Sequence, residues 1–146
     1  MIHSILVCLD GSSRAPGVFD VAAEIGERFG AKLRLFRVVT LPPEIPPSAH
    51  VAHGDPLPAY LATAAIEDLA RMALRAPRVQ IEPPMVRDGL PAWRQILASA
   101  DELDVDLIVL GSHGYHAIDY ILGTTAARVV NLARRPVLVV HDRVPH

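Results

Sequence analysis

The stretch Asp106-Leu-Ile-Val-Leu-Gly111-Ser-His-Gly114, continuing to Gly123-Thr124-Thr125, decides the fold of this chain. An apolar strand runs directly into a glycine-bearing loop. The loop ends where a helix begins with two hydroxyl residues. Such a joint suits anion capture, because glycines let the backbone approach a phosphate closely and a helix N-terminus presents N–H groups with a partial positive charge. Ser112, Thr124 and Thr125 can add hydroxyl donors. The plainer alternative is an ordinary strand–loop–helix joint in which Thr124 or Thr125 is an N-cap. Local pattern alone leaves both open, since short glycine motifs recur by chance.

Upstream, the same alternation of strand and helix repeats. His3 to Leu9 is an apolar strand closed by Asp10-Gly11-Ser12-Ser13. Pro16 fits the first turn of a helix, Val18, Val21, Ala22, Ile25 and Phe29 recur at helical spacing, and Gly30 stops it. Lys32 to Val39 is a second strand, followed from Thr40 to Pro58 by a loop with six prolines. Asp55 to Ala76 reads as a helix, with Leu61, Ala65, Leu69 and Met72 along one face. Arg78 to Val86 is a third strand whose Pro83 and Pro84 suit a sheet edge. Pro91 opens a helix carrying Ile96, Leu97, Ala100 and Leu103. Val105 to Leu110 is the most apolar strand, a helix spans about Thr124 to Ala133, and Pro136 to Val140 is the last strand.

Apolar strands alternating with amphipathic helices imply a parallel sheet covered on both faces. Right-handed crossovers then make the domain doubly wound, with ligands beyond the carboxyl ends of the strands where the strand order reverses. Three segments leave those ends: Asp10 to Ser13, the proline-rich loop after Val39, and Gly111 onward. One domain over residues 1–146 is expected, with no internal repeat.

Bulk properties narrow the function. About half of the residues are apolar, enough for a core without staples. The 14 basic and 16 acidic side chains argue against a nucleic-acid surface, which is usually clearly basic. The single cysteine, Cys8, lies in an apolar run and reads as a buried, inert thiol. No basic segment followed by an apolar stretch marks a signal peptide, and no apolar run reaches the roughly 18 residues that span a bilayer. A cytoplasmic protein without membrane partners is the expectation.

Several motifs in order then resemble the universal stress protein family over nearly the whole chain. These are Val7-Cys-Leu-Asp10-Gly-Ser12, Gly89-Leu-Pro-Ala92, Asp106 to Gly114, and Arg135-Pro-Val-Leu-Val-Val140. The resemblance implies a Rossmann-like, doubly wound sheet of five parallel strands in the order 3-2-1-4-5. It also implies a homodimer and, as in many members, ATP or a related adenine nucleotide (AMP or ADP) bound without rapid hydrolysis. Asp10 would face the ribose and adenine. Val38 would meet the adenine through its backbone. Gly111, Gly114, Gly123 and Thr124 would hold phosphates, with Thr125 beside them. Turn, cap and core roles are the structural alternatives for each of these residues.

Two features depart from the nucleotide-binding pattern, Gly-x2-Gly-x9-Gly-Ser/Thr. Gly111 and Gly114 keep the first spacing, but eight residues, Tyr115 to Leu122, separate Gly114 from Gly123. One residue fewer removes up to about 3.5 Å of reach. In addition, no Lys or Arg lies between Gly111 and Thr125, while Asp119 adds a negative charge. A triphosphate there would depend on backbone N–H groups, hydroxyls, a divalent cation such as Mg²⁺ or arginines elsewhere. Protonated His113 and His116 could contribute.

The chain carries no phosphate-binding Gly-x4-Gly-Lys-Ser/Thr loop and no HExxH, GxSxG or CxxC motif. A nucleotide-binding signalling module with slow or no turnover is therefore expected, with no catalytic residue assigned. The competing expectation, favoured by the short glycine loop, is a member that binds no nucleotide and serves as a chaperone-like or protein-interaction module. His50, His53 and Asp55, with His113 and His116, have the chemistry of zinc ligands. They are read instead as solvated loop residues, and no metal site is assigned. In the family order the strand 136–140 lies at a sheet edge. Self-pairing would cover it in a homodimer, and a tail folded back from His141 is the alternative.

Overall fold

The computed structural model describes residues 1–41, 44–46, 48–50, 54, 56–112 and 122–141. The elements are β1 (Ser4–Cys8), α1 (Ala15–Phe29), β2 (Lys32–Val39), α2 (Leu57–Ala73), β3 (Ile81–Asp88), α3 (Ala92–Leu103), β4 (Leu107–Gly111), α4 (Thr124–Leu132) and β5 (Val137–Val140). All strand pairs are parallel, and the sheet order is β3-β2-β1-β4-β5. The expected doubly wound architecture is therefore observed.

Strand alternation builds two cores. Ile5, Val7, Leu33, Leu35, Leu107 and Val109 pack with Phe19, Ala22 and Leu69 beneath α1 and α2. Leu6, Phe36, Ile108 and Leu110 point the other way and pack with Ile96, Ala100, Ala126 and Val129 of α3 and α4. Successive strand residues serve opposite faces, so a parallel sheet covered on both sides requires near-continuous apolar strands. β1 and β4 meet this demand, with burial patterns that are almost entirely closed to solvent.

Boundaries moved where the sequence signal was weak. β3 starts and ends later than the periodicity suggests, at Ile81 and Asp88. Its register against β2 passes from Arg34 opposite Glu82 to Phe36 opposite Met85, so Pro83 and Pro84 together oppose Leu35. Prolines cannot donate to the ladder, and the bulge on this outer strand absorbs them. The guanidinium of Arg34 reaches the Pro83 carbonyl at 2.7 Å, supplying a side-chain donor at the bulge. α2 is shorter than expected at both ends, because Pro56 is its N-cap and the helix closes on Leu74. Gly30 is left-handed at the end of α1, as its stop role requires. Among the described residues, no helix is long and apolar enough to cross a membrane.

Candidate functional site

β1 is central, with β2 on one side and β4 on the other: the chain builds from β1 through β2 out to β3, then crosses back to β4 beside β1. This is the topological switch point, where the loops after β1 and β4 diverge and open a crevice. A cavity of about 230 Å³ lies there. Its floor and walls include Cys8, Leu9, Phe36, Ile96 and Leu110, and its polar lining includes Asp10, Ser12, Arg14, Arg37, Ser112, Thr124 and Thr125.

The residues expected from sequence to share a site mostly meet at this cavity. Asp10, Val38, Gly111, Thr124 and Thr125 all line it, although they come from four separate segments. Gly123 stands just behind as the N-cap of α4. Gly114 lies outside the described residues, as do His53, Asp55, His113, His116 and the tail beyond His141.

The α4 start resolves one sequence alternative. Thr124 and Thr125 are the first helical residues, and neither is the N-cap. Gly123 caps the helix with extended backbone and no side-chain hydrogen bond. A hydroxyl cap would have occupied a first-turn N–H. A glycine cap leaves that end of the dipole without a side-chain acceptor, and no acidic residue stands in the first turn. Two hydroxyls and a helix N-terminus therefore face one cavity.

Asp10 is held by its own turn. Its Oδ1 accepts from the Ser12 N–H at 3.0 Å, and Ser12 Oγ accepts from the Arg14 N–H at 3.3 Å. These side chain–backbone bonds replace the strand ladder with a compact bend leading into α1. Asp10 is the only carboxylate in the described lining. Cys8 lines the floor, and burial pushes its thiol pKa far above the ordinary range, which fits an inert packing role.

Arg14 and Arg37 are the site residues that the motifs did not single out. Arg37 interrupts the apolar run Leu35-Phe36-Arg37-Val38-Val39. A cation in a covered strand needs partners, and that interruption was the available signal. Its Nε donates to the Leu9 carbonyl at 2.8 Å and its Nη2 to the Asp10 carbonyl at 3.1 Å. Nη2 also pairs with Asp68 Oδ2 of α2 at 2.8 Å. The Arg37 side chain is 11 % exposed, whereas that of Asp68 is 43 % exposed. One guanidinium thus joins the end of β1 to β2 and α2.

Residues 1–141 match the model of the universal stress protein family. Universal stress protein A homolog 1 of Coxiella burnetii is 32% identical over 143 residues, covering 93% of this chain and 94% of that protein. Universal stress protein Sll1654 of Synechocystis is 31% identical over 144 residues, covering 96% of this chain and 86% of that protein. Among solved structures, the universal stress protein UspA from Lactobacillus plantarum superposes with a TM-score of 0.75 at 27% identity, covering 95% of this chain and 97% of that one. A universal stress protein in complex with cAMP superposes with a TM-score of 0.70 at 26% identity, covering 96% and 97%. With the whole sheet order, the crevice at its switch point and these matches in agreement, the chain belongs to the universal stress protein family.

Proposed function

We propose that this protein binds an adenine nucleotide, ATP or its mono- or diphosphate relatives, in the crevice between β1 and β4 and acts as a stress-response signalling module. The observation that carries this reading is the convergence of Asp10, Val38, Gly111, Thr124 and Thr125 on one cavity. The apolar floor suits a flat base. The Asp10 carboxylate can accept hydrogen bonds from ribose hydroxyls, the role an acidic residue takes in related nucleotide-binding sheets. The glycine-capped start of α4, with Thr124 and Thr125, suits phosphate. The likeness to a family member solved with cAMP supports the same ligand class.

Efficient turnover is outside this reading. Phosphoryl transfer needs positioned charge at the leaving group and an oriented nucleophile. Arg14 and Arg37 are the cations in the described lining, and Arg37 is already engaged with Asp68 and two carbonyls. We further propose a homodimer through β5, which pairs only with β4 among the described strands and ends the sheet.

A second reading keeps the fold and discards the nucleotide. The eight-residue spacing between Gly114 and Gly123 favours it, and the protein would then serve as an interaction module. Calorimetric titration with ATP, AMP and cAMP, each with and without Mg²⁺, separates the two. Saturable binding that is lost in Asp10→Ala supports the nucleotide reading. An absence of heat with all three ligands supports the second. ATP hydrolysis at about 1–10³ per second would overturn the non-enzymatic assignment.

A further inference from the structure

Arg37 holds two successive main-chain carbonyls at the point where β1 becomes the Asp10 turn. Its bonds to the Leu9 and Asp10 carbonyls, at 2.8 and 3.1 Å, hold the peptide planes on either side of the Asp10 α-carbon. Asp68 closes on the same guanidinium at 2.8 Å and comes from a different element. The Leu9 N–H meanwhile donates to the Phe36 carbonyl at 2.8 Å, so β1 is tied to β2 on the residue before the turn. Beyond that last ladder bond, the described backbone of Asp10 is anchored by Arg37 and by its own side chain's bond to Ser12.

The consequence falls on the carboxylate. Asp10 is the only acidic side chain in the described cavity lining, and its direction depends on the peptide planes that carry it together with the bond its Oδ1 accepts from the Ser12 N–H. A guanidinium fork suits this task because it is planar, always charged and able to bond several acceptors in a fixed geometry. An ammonium at the same place would act as a point charge without that directionality.

We propose that Arg37, braced by Asp68, is a positioning residue that aims the Asp10 carboxylate at the ribose hydroxyls of the bound nucleotide. This inference rests on the nucleotide reading of the crevice. It adds that ribose discrimination depends on a salt bridge between Arg37 of β2, in the cavity lining, and Asp68 of α2, which does not line the cavity.

The test compares AMP with 2′,3′-dideoxy-AMP by calorimetry in the intact protein. Hydrogen bonds to a carboxylate predict that the wild type prefers AMP by about tenfold or more. Arg37→Met keeps the length of the side chain and removes its donors. It should bring the ratio of AMP to dideoxy-AMP affinity close to unity. Asp68→Asn, at a half-exposed position, should lower the ratio in the same direction without loss of folding. Combined with Asp10→Asn, neither substitution should change the ratio further. A ratio unchanged in both single variants would reduce Arg37 to a packing role and overturn the inference, with the nucleotide reading intact. Equal wild-type affinity for the two ligands would also overturn it, by removing the Asp10–ribose contact. If the wild type binds neither ligand, the nucleotide reading fails and takes this inference with it.

Discussion

The Gly123 N–H donates to the Ser112 carbonyl at 2.8 Å, so the two flanks of the glycine segment meet at one hydrogen bond. Ser112 is itself tied to β5 through its N–H on the Val140 carbonyl at 2.9 Å. The end of β4 and the start of α4 are thus brought together by main-chain bonds on the described flanks. Closing a loop one residue shorter costs little entropy, because the cost varies only with the logarithm of length. Inserting one glycine after Tyr115, which restores the nine-residue spacing, should raise AMP affinity with little change in Tm. Unchanged affinity would show that the natural segment already presents its donors well.

The site assignment predicts that Asp10→Ala lowers nucleotide affinity by about 1.5–3 kcal/mol, the usual worth of hydrogen bonds to a charged group. Gly114→Val should lower it as well, by crowding the backbone approach. Both are measured by titration, with far-UV circular dichroism confirming the fold. Retention of full affinity in both variants would place the ligand elsewhere.

Arg135 should matter for stability out of proportion to its position near the chain's end. Its side chain is 16 % exposed, and its Nη2 meets Asp101 at 2.9 Å. Its Nη1 donates to the carbonyl of Ala100 and, at 3.1 Å, to that of Val105. These acceptors belong to the end of α3 and the chain that follows it; the Ala100 carbonyl also accepts from the Asp104 and Val105 N–H groups, so Arg135 reinforces a main-chain helix end. Arg135→Ala should lower unfolding free energy by about 1–3 kcal/mol. Urea denaturation of the two proteins reads the difference directly.

Two glycines of α1 should respond oppositely to alanine. A Cβ at Gly26 would stand 3.1 Å from the Ala31 carbonyl, 3.0 Å from Val79 and 3.1 Å from Leu33. The helix-propensity gain is then outweighed by crowding against the β2 entry, and Gly26→Ala should destabilise by about 1–2 kcal/mol. A Cβ at Gly17 would meet nothing within 4 Å, so Gly17→Ala should stabilise by up to about 1 kcal/mol. Thermal melts in which both shift the same way would contradict this account of α1 packing.

Acid should weaken the fold partly through Asp106. Its Oδ2 accepts from the main-chain N–H groups of His3 and Ser4 at 2.8 and 3.0 Å, and these bonds hold its pKa below the ordinary carboxylate value. The unfolded chain then binds the proton more readily than the folded one. The contribution is present above the unfolded pKa, near 3.9 by the usual reference value of about that size, and is lost as pH falls through the lower folded pKa. Asp106→Asn should flatten the fall of Tm below about pH 4 relative to wild type. Parallel curves for the two proteins would show that Asp106 carries no such linkage.

The number of strands, their parallel sense and the covered faces were legible in the sequence, because continuous apolar runs such as Leu107 to Leu110 fit only a sheet buried on both sides. The Asp10 and Gly111 segments were legible as neighbours of one crevice, since such sheets open their crevices at the strand carboxyl ends, and both residues line the cavity. Tertiary structure decided what depends on long-range pairing. The bulge at Pro83 and Pro84 exists only against Leu35 of the neighbouring strand. The cap of α4 fell to Gly123 instead of a threonine: its carbonyl accepts from the Ala127 N–H at 2.9 Å, while its own N–H donates to the Ser112 carbonyl. Arg37 reads along the chain as a misplaced charge, and it becomes a clamp only once folding brings the Leu9 and Asp10 carbonyls and Asp68 around one guanidinium. Periodicity records which face a residue takes, whereas a hydrogen bond between distant segments is determined only by the folded geometry that unites them.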